Sequence, residues 1–167
     1  MHNALVVDQF AGRLKEAGLL IGPADRTPWI NSIELDLGHR LPKTYGDFVR
    51  RYEFRPFEWE ALSFFGNSEA DDRLNLHVAV RNDPVIWQVT CRAKLLQFGR
   101  PATGSYDPIC FDLRASHHEP PVVQLDHEAI LIKDRITLVR QIAPGFIALA
   151  ESLLASHTEP EPIESEA

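Results

Sequence analysis

The chain has 167 residues, 44% of them hydrophobic and 25% charged, with a formal charge of −7. That length corresponds to one globular domain, large enough to bury a core without a metal or a disulfide to hold it. The acidity excludes a phosphate-binding surface of clustered Lys and Arg, and would instead attract a basic protein partner.

The first element is a helix, with Val7, Phe10, Leu14 and Ala17 on one face at spacings of three and four and Gly22-Pro23 as its stop. Its start, "MHNALVVDQFAGRLKEAGLL", has no basic leader, and no run in the chain approaches the ~18 apolar residues of a membrane span. Cys91 and Cys110 are too far apart for a CxxC motif and read as reduced thiols. A cytoplasmic location is therefore expected. Two tandem helices follow in "TPWINSIELDLGHRLPKTYGDFVRRY". Thr27 is the expected N-cap of the first and Gly38 its left-handed stop, with Ile30, Ile33 and Leu37 on its apolar face. Pro42 restarts the second, whose stripe is Tyr45, Phe48, Val49 and Tyr52.

After Tyr52 the period changes from 3.6 to 2. "ALSFFG" predicts a short strand, and "RLNLHVAV" a second with Leu74, Leu76, Val78 and Val80 on one side. Asn82-Asp83-Pro84 is a turn, and "VIWQVTCR" predicts another strand with Trp87, Val89 and Cys91 sharing a face. In "GSYDPICFDL" the turn residues lead into a strand, Ile109, Phe111 and Leu113 alternating with Cys110 and Asp112. "PPVVQLDH" is the next strand, and "RASHHEP" the polar tip of the hairpin-like link between them. "EAILIKDRITLVRQ" fits helix and strand equally. Pro144 opens a last helix with Phe146, Leu149, Ala150, Leu153 and Leu154 as its stripe.

Residues 157–167 carry four glutamates and no Lys or Arg; without those four, 20 acids face 17 bases and the charge falls to −3. With Pro160 and Pro162 among the acids, this tail is expected to be solvated and disordered. The fold class is α+β. N-terminal helices, a mostly antiparallel twisted sheet of about five or six strands and a C-terminal helix make one domain over residues 1–156.

Cys110 is a poor nucleophile candidate, because it sits between Ile109 and Phe111 in a strand where small thiols are packing residues. Asp107, Asp112, His117, His118, Asp126 and His127 are metal-ligand types without a ligand spacing such as HExxH. No GxGxxG or GxxxxGK[ST] phosphate cradle is present. No catalytic residue, metal or cofactor is expected. Trp29, Trp87, Phe64 and Phe65 read as core, whereas Trp59, between Glu58 and Glu60, is expected at the surface.

"IELDLGHRLPKTYGDFVRRYEF" followed by "LSFFGN" resembles the first half of the SUKH superfamily, the Smi/Knr-like domains. Ile33, Leu37, Gly38, Leu41, Pro42, Tyr45 and Phe48 fit that family's helical core. "FGRPATGSYDPICFDL", "PPVVQLDHEAIL" and "IAPGFIALAESLL" are similar to its second half, so the resemblance runs from Thr27 to Leu154. It implies a non-catalytic α+β domain. Bacterial members look like cytoplasmic immunity proteins that bind and neutralise a toxin, often a nuclease; fungal members regulate cell-wall synthesis through protein contacts. The expected function is immunity by protein binding, with a non-toxin regulator of the same fold as the alternative and a Cys/His hydrolase a distant third. The expected partner surface lies on the acidic loops flanking the early strands: Glu58, Trp59 and Glu60 in "FEWE", and Glu69, Asp71 and Asp72 in "NSEADD".

Overall fold

The computed structural model describes residues 1–23, 25–68 and 73–163. Helix α1 (His2–Glu16) buries Val6, Val7, Phe10, Ala11 and Leu14 in one stripe. Its stop is Gly18, whose φ of +72° lets the amides of Gly18 and Leu19 return to the carbonyls of Lys15 and Leu14. Gly22 and Pro23, the expected stop, lie instead in a strand, β1 (Leu20–Pro23), paired antiparallel with β2 (Tyr52–Phe54). Helix α2 (Thr27–Leu37) is capped by Arg26 rather than Thr27, whose amide donates to Asp25 Oδ1 at 3.0 Å, and it ends on left-handed Gly38. Helix α3 (Lys43–Arg51) buries Tyr45, Phe48 and Val49.

The main sheet is formed by β3 (Phe57–Trp59), β4 (Leu62–Phe64), β5 (Leu95–Pro101), β6 (Ile109–Asp112), β7 (Val122–Leu125), β8 (Leu138–Ala143) and β9 (Glu161–Pro162). All its ladders are antiparallel, in the order β8-β7-β6-β5-β4-β3-β9. The remaining helices are α4 (Leu76–Ala79), α5 (Pro84–Arg92), α6 (His127–Lys133) and α7 (Phe146–Ala155). The fold is therefore α+β, with seven strands in the main sheet among the described residues where five or six were expected.

The sheet separates two cores. On its first face α1, α3 and α7 pack Phe10, Phe48 and Phe146 against Phe98, Ile109, Phe111 and Val122. On its second face α5 and α6 bring Ile86, Val89 and Ile130 onto Leu95, Cys110, Val123 and Leu125. Strand β6 feeds both, Ile109 and Phe111 into one and Cys110 into the other, as a period of 2 requires.

Two expected strands are helices. In "RLNLHVAV" the helical turn α4 places Leu76, Ala79 and Val80 in the core, at spacings of three and four. "VIWQVTCR" is α5, opened by Asp83, whose side chain accepts from the amides of Val85 and Ile86, and by Pro84 in the first turn. Ile86, Val89 and Thr90 form its buried face. β-branched composition favours strands only weakly, and here capping and burial on the second face outweigh it. "EAILIKDRITLVRQ" contains both readings in turn, helix α6 and then edge strand β8.

Candidate functional site

One residue inserted in β5 shapes the site. Along β5 and β6, Leu96 faces Phe111, Gln97 faces Cys110, and then Gly99 faces Ile109, so Phe98 is the extra residue of a bulge. Across β4, Gly99 lies opposite Phe64 and Arg100 opposite Ser63. Phe64, Phe98 and Ile109 all belong to the first core, which puts Gly99 on that side as well. A Cβ on Gly99 would run into the Ser63 carbonyl oxygen. Arg100 is thereby turned to the second face, on the same side as Gln97.

There it borders a cavity of about 330 Å³ where α4, α5 and α6 meet β5. Val80, Ile86 and Leu131 supply apolar wall, and Gln97, Arg100, Tyr106 and His127 supply polar groups. The Arg100 guanidinium carbon lies 5.4 Å from the Phe65 ring centre and 5.8 Å from that of Tyr106. It forms no ion pair among the described residues, and burial lowers its pKa, the mark of a cation partly stripped of water. A second cavity of about 390 Å³, lined by Glu58, Ser63, Phe65 and Leu74, is also bordered by Arg100.

His127 is fixed from behind. Asp107 Oδ1 is 2.6 Å from its Nδ1 and accepts its backbone amide at 3.1 Å, while Oδ2 accepts from Gln124 Nε2 at 2.8 Å. Burial alone would raise the Asp107 pKa; the hydrogen bonds from His127 and Gln124 outweigh it and hold the carboxyl below its ordinary 3.8. A carboxylate can only accept, so Nδ1 carries the proton shared with Asp107. The neighbouring Asp126 caps α6 by accepting from the amides of Glu128 and Ala129.

Of the six metal-ligand candidates, Asp107, Asp126 and His127 come together, their ligand atoms all within 4.8 Å of one another. Each of these aspartates already holds backbone amides or side chains of its own surroundings. Asp112 is engaged by Arg114 at 2.8 Å, and His117 and His118 stay on the exposed link, His117 with its ring 6.3 Å from that of His39. Cys110 is fully buried in the second core, and burial pushes its thiol pKa far above the ordinary range. That environment suppresses the thiolate a nucleophile requires.

The expected partner surface is partly redrawn. Trp59 is 1% exposed, stacks on Phe10 at 5.3 Å and donates its indole N–H to the Thr158 carbonyl at 3.2 Å; it is core, not a surface anchor. Glu58 and Glu60 do reach the surface, half-buried and exposed respectively. Glu58 accepts from Ser63 Oγ at 2.8 Å and pairs across the ladder with Glu161 of β9. Glu60, in the tight turn at φ +54°, accepts from Thr158 Oγ1 at 2.7 Å. Glu69, Asp71 and Asp72 lie outside the described residues. No sequence pattern marks Arg100, Gln97 and Tyr106 as neighbours; the one available signal is "FGRP", a glycine and an arginine closing an apolar run. Compared with models of known protein families and with curated proteins, the chain matches none.

Proposed function

We propose that this chain is a non-catalytic, protein-binding module of SUKH type, and that it acts as a cytoplasmic immunity protein by covering the basic working surface of a toxin, such as a nuclease. The observation that carries this reading is the β3–β9 end of the sheet, where Glu58 and Glu161 stand directly opposite each other with Glu60 beside them. Like charges paired across a ladder destabilise it, and a cationic partner converts that repulsion into attraction. Helices α5 and α6 cover the second face at β5–β7, whereas a cavity opens beside Glu58 and Ser63. The motif run from Thr27 to Leu154 supports the family assignment.

The test is functional. Products of the reading frames beside this one are expressed alone and together with this chain. The expected result is that one is toxic, is rescued by this chain, and binds it with an on-rate that falls steeply as salt rises. Glu58→Lys together with Glu161→Lys should slow that association by tenfold or more. Rescue or binding indifferent to salt and to both substitutions would refute the acidic end as the partner surface.

A further inference from the structure

The cavity at Arg100 is left unexplained by an acidic protein-binding end, because it presents a cation. Arg100 is half-buried, has aromatic rings at 5.4 and 5.8 Å and forms no ion pair among the described residues. Removing part of a cation's water costs free energy, which a bound anion or good hydrogen bonds restore. The adjoining space of about 330 Å³ has the size of a small-ligand pocket, and apolar walls with a few converging polar groups are the usual make-up of such pockets. We propose that this cavity binds a small monocarboxylate with a flat apolar body.

Each part of that ligand is read from the wall that meets it. The guanidinium fork matches a carboxylate in plane and spacing. Arg100 is the one cation lining the cavity among the described residues, and Asp83, which also lines it, repels a second negative charge, which disfavours a phosphate dianion. Val80, Ile86, Leu131 and the Tyr106 ring accept the apolar body. His127, held through Nδ1 by Asp107, brings a fixed ring to the cavity wall. The bulge at Phe98–Gly99 is what brings Arg100 into this set, so the site is built into the strand itself.

The experiment uses the full chain and benzoate as probe, followed by two-dimensional NMR. Benzoate should bind saturably at one site, with the shifts centred on Gln97, Arg100, Tyr106 and His127. Uncharged benzamide should bind at least tenfold more weakly, and Arg100→Gln should weaken benzoate by at least tenfold. Leu131 is 45% exposed, so Leu131→Trp can fill the cavity without disturbing the core, and it should abolish benzoate binding even if Arg100→Gln fails to fold. Shifts centred elsewhere, equal affinity in Leu131→Trp, or inorganic phosphate binding as tightly as benzoate would each overturn the proposal. No protein partner is involved, so the result stands apart from the immunity reading.

Discussion

Glu119 reaches from the β6–β7 link to the start of α7, where its Oε2 accepts the Ile147 amide at 3.1 Å. Its other oxygen is buried with no hydrogen-bond partner among the described residues. Burial raises its pKa above the ordinary 4.5, and the amides of Ile147 and Phe146 with nearby His118 restore only part of the difference. The folded chain thus holds this proton more tightly than the unfolded chain. Its contribution to stability is fully present below 4.5 and is lost as pH rises through the folded value. Asp107 has the opposite sign, since its contribution is present above 3.8 and lost as pH falls below it, so the two are lost in separate pH ranges. Glu119→Gln, whose carbonyl can still accept from Ile147, should flatten the rise in stability as pH falls towards 4.5. Urea midpoints measured across that range decide it, and a variant with the wild-type slope would contradict it. None of this was legible in "SHHEP", because the partner lies 28 residues away. Trp59 was legible: in "FEWE" a period of 2 puts Phe57 and Trp59 on one face, and the flanking glutamates report only the other.

Among the elements, those read correctly are the ones whose apolar period had a single interpretation. Strands β6 and β7 alternate cleanly, and α1, α3 and α7 carry stripes at helical spacing, so pattern and fold agree. Helix α5 is ambiguous in sequence because Ile86, Val89 and Thr90 lie on one helical face while Trp87, Val89 and Cys91 also alternate. The deciding signal is Asp83-Pro84, a cap followed by a first-turn proline, a pair that also suits a turn. The bulge was illegible, since nothing in "LLQFGRP" marks Phe98 as the extra residue without its partner strands. The weight of the cap can be measured. Asp83→Ala frees the amides of Val85 and Ile86, and should cost about 1 kcal/mol in denaturant melts. Because α5 lines the Arg100 cavity, hydrogen exchange at those two amides should rise as well. An unchanged midpoint with unchanged exchange would show that burial alone holds the helix.

At the scale of the molecule the C-terminal segment closes the structure that composition would leave open. Residues 157–167 are expected from composition to be solvated and disordered, yet β9 pairs with β3 and Pro160 is buried, while residues 164–167 lie outside the described residues. Arg13 of α1 holds Glu159 through two hydrogen bonds of 2.6 and 3.1 Å, and the Thr158 carbonyl and hydroxyl meet Trp59 and Glu60. Acid and proline content reports how well a segment is solvated alone and is blind to an edge strand waiting for a partner. Ending the chain after Ser156 separates the two descriptions. A solvated tail would leave the melt unchanged. The observed contacts predict a loss of roughly 2–4 kcal/mol, from several hydrogen bonds at about 1 kcal/mol each and one exposed ion pair worth less. The Trp59 indole would lose its acceptor and gain water, so tryptophan emission should shift to the red in the folded state. The amides of β3 should exchange faster, because the pairing that protects that edge is gone. The same cut removes Glu161 from beside Glu58, so association with a cationic partner should slow even under conditions where the shortened chain is fully folded.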